Sequence, residues 1–170
     1  MILVINESTF LLNELKRQKK INFKKLSFVS SKGFLFNYFY DNNKKEIKIS
    51  IKDSLLINYL KNFDKKENLI IVASDHDPAG HLISLEILSL FKNSEVLRFQ
   101  YPFEKLFQIP EKNLLDFLIR NSFDNFKIGI AETYLKKRLF NKDFEIKRIN
   151  TLAALKNGSK IKKIVLKKEK

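Results

Sequence analysis

The stretch NLIIVASDHDPAGHLISLEIL, residues 68–88, runs Leu69 to Ala73, all apolar or small, almost directly into Asp75-His76-Asp77. Five such residues make a short buried strand rather than a helix. Beyond Gly80, Ile83, Ile87 and Leu90 recur at helical spacing, so a helix follows to about Phe91. The turn between strand and helix must therefore hold two carboxylates one residue apart. They repel each other unless solvent screens them or a cation sits between them. A solvated turn and a divalent-metal site are the two readings this pattern leaves open.

A second apolar run closes on an acid. ILVINE (2–7) reads as a buried strand ending at Glu7, and Ser8 or Thr9 can cap a helix whose Leu11, Leu12 and Leu15 share a face. LSFVSSKGFLFNYFY (26–40) is β-branched and aromatic but interrupted by Gly33, giving two strands or one bent strand. DNNKK (41–45) has turn chemistry and EIKISIK (46–52) alternates, so 34–40 and 46–51 form a hairpin with one solvated face. Phe34, Phe36, Tyr38 and Tyr40 then line one sheet face, packed on the core or offered to bases. Asp53 or Ser54 caps a short helix through Leu60. EVLRFQY (95–101) is a further strand, and helices are expected over 109–121 and 129–140.

Strands that alternate with helices argue an α/β fold with a mainly parallel central sheet flanked by helices, a β-hairpin insertion and a helical C-terminal extension. The corresponding units are a domain at 1–104, an extension at 105–155 and a basic tail at 156–170, where seven Lys stand against one Glu. Sites in such sheets form at the carboxyl ends of the strands, which is where Glu7, Asp75 and Asp77 fall.

Among 170 residues, 44% are hydrophobic, enough for a real core. No cysteine is present, which removes thiolate chemistry and suits a cytoplasmic location. No apolar run approaches the ~18 residues of a membrane span, and MILVINES lacks the basic start of a signal peptide. The formal net charge of +14 points to a polyanion, foremost nucleic acid. Only five of the basic residues are Arg, so a Lys excess from compositional drift is the competing explanation.

Glu7, SSKGF around Gly33, and SDHDPAG with Asp75, Asp77 and Gly80 together resemble the Toprim domain, a Rossmann-like fold shared by topoisomerases, primases and some nucleases. The resemblance covers roughly residues 1–100 and is greatest to the Toprim part of type IA DNA topoisomerases. GIAETYLKKRLF (129–140) is also similar to the basic helix that follows it there. Phe34 departs from the family's His, Pro78 and Ala79 replace Arg-Glu, and His81 stands where a further Glu would be. The resemblance implies Mg²⁺ (or Mn²⁺) held by Glu7, Asp75 and Asp77, which would also be the catalytic residues. Mg²⁺ prefers a few carboxylates plus water and phosphate oxygens, and it would neutralise a phosphodiester in transit. Glu7 could instead serve as general acid, given a raised pKa. Nucleic acid, DNA ahead of RNA, would be met by Lys32 and by Lys136, Lys137 and Arg138.

Each assignment has a bland counterpart. Asp-x-Asp is common turn and helix-cap chemistry. Glu7 could merely favour a helix start, Gly33 could be a hairpin glycine, and His76 and His81 read as surface histidines or phosphate contacts before they read as zinc ligands. Type IA enzymes carry their nucleophilic tyrosine on a domain that 170 residues cannot hold, and none of Tyr38, Tyr40, Tyr59, Tyr101 and Tyr134 has a matching context. The expectations are a stand-alone Mg²⁺-binding Toprim protein that cleaves or nicks nucleic acid, a non-catalytic basic binding module or truncated topoisomerase relative, or a primase-type nucleotidyl transferase. A protein partner could supply missing domains.

Overall fold

A computed structural model describes residues 1–21 and 25–140. The basic tail at 156–170, Arg148 and the remainder of the expected extension lie outside the described residues.

Four parallel strands form the centre: β1 (Ile2–Asn6), β2 (Leu26–Ser30), β5 (Leu69–Ala73) and β6 (Glu95–Phe99). The order is β2-β1-β5-β6, extended by an antiparallel two-residue β7 (Ser122–Phe123). The α/β reading and its parallel sheet therefore hold. The segment 26–40 resolves into two strands, as Gly33 suggested. The second, β3 (Phe36–Asp41), leaves the main sheet and pairs with β4 (Glu46–Ile51) in a separate hairpin.

Side-chain alternation along the central strands sorts the core into two layers. Leu3, Ile5, Ile70 and Val72 face α3 (Pro78–Leu90), α2 (Ser54–Lys61) and the hairpin, whose Phe36, Ile47 and Ile49 join the same cluster. Val4, Ile71 and Ala73 face the other way, onto α1 (Thr9–Gln18), a 3₁₀ turn at Phe103–Gln108 and α4 (Leu114–Arg120). Ser8 and Asp53 cap α1 and α2 by accepting from Leu11 N and Leu56 N. The helix expected at 109–121 opens instead with a 3₁₀ turn, Glu111–Asn113, directly after Pro110. Among the described residues no helix is long and apolar enough to cross a membrane.

Helix α3 is not the one-sided helix its stripe suggested. Ile83, Ile87 and Leu90 face the sheet, but Leu82 and Leu85 meet Ala131 and Leu135 of α5 (Ile128–Phe140). On a third side Glu86, 0% exposed, accepts from Leu35 N at 2.7 Å and from the Tyr38 hydroxyl at 2.6 Å. A helix covered on several sides needs apolar residues beyond one stripe. Glu86 thus ties the hairpin to the helix with a buried acid rather than with apolar contact alone.

Burial pushes the Glu86 carboxyl up to about 8, against the opposing pull of Tyr38, Leu35 N and the Arg138 charge. The folded state therefore keeps a proton that the unfolded chain releases near pH 4.5. Stability from this group is complete below that pH and is lost as pH rises toward 8, by at most about 1.4 kcal/mol per pH unit. Between pH 7 and 8 the melting temperature of the wild type should fall. Glu86→Gln, which keeps both an acceptor and a donor, should flatten that slope; an unchanged slope would show that Glu86 does not titrate there.

Candidate functional site

Asn6 lies in register with Ser30 of β2 on one side and Ala73 of β5 on the other. The three chains therefore leave the sheet side by side, carrying Glu7, the 31–34 loop and the 74–77 turn to one edge. The helix after β1 covers one face and the helix after β5 covers the opposite face. The crevice between β1 and β5 is thus the switch point at which open α/β sheets form sites. Glu7 and Asp75, 68 positions apart by number, meet there.

The Glu7 carboxyl is half-buried, and its Oε2 has no hydrogen-bond partner. Burial, contact with the Asp75 carboxyl and the charges of Asp75 and Asp77 hold it up at about 7, while the nearby Asp75 backbone N–H works the other way. The raised pKa that a general acid requires thus falls on the expected residue. Asp75 and Asp77 are themselves exposed. Asp77 caps α3, its Oδ1 accepting from Gly80 N at 2.6 Å. The helix-cap reading of Asp77 is therefore realised. Among the described residues, no group of three or more His, Asp or Glu side chains is gathered so as to hold an ion as it stands.

Packing explains why the turn is so tight. A Cβ built on Gly80 would lie 2.1 Å from the Asp75 carbonyl oxygen and 2.9 Å from its nitrogen. Only glycine lets the first turn of α3 approach the end of β5 this closely. Ser74 and Ser84 fasten the same joint: their hydroxyls are 2.6 Å apart, and both reach Gly80 O.

Arg98, which sequence reasoning passed over, and His81, which it placed at the surface, complete the site. Arg98 of β6 is 1% exposed, and its Nη2 donates to Asp75 O at 2.7 Å. Its Nη1 contacts Nδ1 of His81. The expectation of a surface histidine is wrong for His81, which is 7% exposed because α3 turns it inward under the acidic turn. Burial, then the Arg98 charge, pushes His81 down to about 4, so at neutral pH it is an uncharged acceptor. Glu7 and Asp77 in turn favour the Arg98 cation, which burial disfavours. Arg98 is thus a fixed positive charge behind the acids. Its signal in the sequence was a lone Arg two residues after Val96, on the inward face of an apolar strand.

The expected basic contacts come from two parts of the chain and have different partners. Lys32, exposed and at φ 56°, sits in the loop from β2 to β3, with its Nζ 3.8 Å from Asp53. Gly33, at φ 84°, donates to Glu7 O and belongs to this loop, not to the hairpin turn. On α5, Lys136 pairs with Glu132 at 3.0 Å and the Arg138 guanidinium lies 4.4 Å from the Phe34 ring centroid. Lys137 lines a cavity of about 340 Å³ together with Pro78, immediately beside the acidic turn. His76 is exposed.

No family model matches the chain, and no curated protein matches it.

Alanine at a helical glycine ordinarily adds up to about 1 kcal/mol of stability. At position 80 the clash with Asp75 should reverse the sign. Gly80→Ala should destabilise the protein by roughly 1–3 kcal/mol in urea unfolding, and a stabilised variant would contradict the close approach.

Proposed function

We propose that this chain is a Toprim-like protein that binds Mg²⁺ or Mn²⁺ and acts on nucleic acid through Glu7, Asp75 and Asp77, with phosphodiester cleavage or nicking as the activity. The observation that carries this reading is the meeting of the Glu7 and Asp75 carboxyls at the ends of adjacent parallel strands. The donors fit a hard cation: all are carboxylate oxygens, and Glu7 Oε2 is buried without a partner. Glu7 and Asp75 would hold the ion, and Asp77 would add an oxygen while still capping α3. A bound ion would supply charge neutralisation at a phosphodiester. Arg98 holds the Asp75 backbone in place from behind. Without an ion Glu7 is held up at about 7, so an ion that it ligates would displace its proton and bind more tightly as pH rises. The net charge of +14 favours a polyanionic substrate. Cytoplasmic location and a partner that supplies further domains belong to the same reading.

A second reading has its own support. Asp77 is committed to its cap, and residue 79 is Ala where the resembling motif carries an acid. A basic module that binds nucleic acid without chemistry fits those facts.

Thermal melts in a Mg²⁺ and Mn²⁺ titration separate the two. An ion at ten times its Kd adds about 1.4 kcal/mol to the folded state, so the wild-type melting temperature should rise at millimolar ion. Asp77→Asn keeps a good N-cap and Glu7→Gln keeps the size of the side chain; both should melt normally without metal and lose much of the rise. Equal shifts in all three proteins, or none in the wild type, would leave the binding module.

Binding of DNA or RNA should weaken by roughly 0.7–0.9 log units per log unit of salt for each phosphate contacted. Salt-independent binding, or none at low salt, would assign the Lys excess to compositional drift.

A further inference from the structure

Beside the acidic crevice lies a second cavity of about 340 Å³, lined by the 31–35 loop and by Lys52 through Leu56. Its polar groups are Ser31, Lys32, Lys52, Asp53 and Ser54. Three features set it apart. Lys32 and Lys52, both exposed, come to it from different segments of the chain. The first turn of α2, eight residues long, brings the positive end of a helix dipole to its wall. Ser31 is 2% exposed, and its Oγ is buried with no hydrogen-bond partner. Leaving such a hydroxyl unpaired costs about 1–3 kcal/mol, and Ser31 is one of the residues that line the cavity. One group opposes an anion, the Asp53 carboxylate. It is already engaged, Oδ1 with Leu56 N at 2.9 Å and Oδ2 with Lys32 Nζ at 3.8 Å, so the two lysines leave the lining with an excess positive charge.

We infer that this cavity is a phosphate-binding site, with Lys52 and Lys32 supplying charge and Ser31 Oγ donating to a phosphate oxygen. It rests on the proposed nucleic-acid function for the origin of that phosphate, because Ser31 N donates to Asn6 O and Gly33 N to Glu7 O, which joins the pocket directly to the acidic strand end. A nucleic acid seated there would place a neighbouring phosphodiester toward Glu7 and Asp75. The phosphate could be a terminal monoester or an internal diester; the chemistry of recognition is shared.

The test uses the full chain in EDTA, so that the acidic site plays no part. The probes are inorganic phosphate, read by thermal shift at constant ionic strength, and 5′-phosphorylated and 5′-hydroxyl oligonucleotides, read by fluorescence anisotropy. Ser31→Ala removes an unsatisfied hydroxyl, so its metal-free and phosphate-free melting temperature should match or exceed the wild type. Lys52→Gln makes the matched charge change, and Lys66→Gln, before β5 at the opposite end of the sheet, is its control. Ser31→Ala and Lys52→Gln should each weaken binding on the order of tenfold, with Lys66→Gln near wild type. A preference for the 5′-phosphorylated strand assigns a terminal phosphate; equal binding of the two strands, still lost in both pocket variants, assigns an internal one. Phosphate shifts without oligonucleotide binding would keep the pocket and sink the nucleic-acid function. Ser31→Ala and Lys52→Gln that bind no worse than Lys66→Gln would overturn the pocket and leave that function standing.

Discussion

The contact of Gly80 with the backbone of Asp75 is the constraint from which the rest follows. It forces β5 to turn into α3 within a few residues, with no room for a side chain at the joint. That closeness brings α3 down onto the sheet, where Ile83, Ile87 and Leu90 enter the core. It also turns His81 under the acidic turn, within reach of Arg98 from the next strand. A looser joint would leave the Asp75 carbonyl unheld and the carboxylates free to separate.

The molecule answers the repulsion between its acids in several ways at once. Asp77 spends one oxygen on a helix cap, Glu7 keeps its proton to near neutrality, and Arg98 lies behind the turn as a buried cation. Solvent does part of the work too, since Asp75 and Asp77 are exposed. Capping and solvation, the two means by which such a turn stands without a metal, are therefore both present.

Around this joint, polar groups hold the second layer. Glu86 binds the hairpin to α3, and Arg138 of α5 lies over Phe34 with its charge acting on the same buried pair of Glu86 and Tyr38. The loop between β2 and β3 is thus pinned at both ends, by β1 at Ser31 and Gly33 and by α3 at Leu35. That pinning gives the 31–35 segment a fixed shape beside the acids, although two of its residues adopt positive φ.

What the sequence determined was local. Apolar runs of strand length, caps at Ser8 and Asp53, the Asn-Asn-Lys turn and the acids at strand ends all act within a few residues, so they were legible along the chain. The position of Glu7 at the site was legible for the same reason, as an acid closing a buried run. Tertiary structure alone decided which strands are neighbours, and so which acids meet. The hairpin of 34–40 with 46–51 was legible too, but only the fold decided that β3 and β4 stand apart from the main sheet as a pair of their own. It also decided that α3 is covered on several sides, which turned His81 from an expected surface residue into a buried acceptor and made Glu86 a protonated anchor. Arg98 shows the same limit: alternation puts it on the inner face of β6, but only the crossing of β6 beside β5, under α3, sets its guanidinium behind Asp75. Burial of a polar group is a property of everything packed around it, and sequence spacing carries no record of what arrives from the other side.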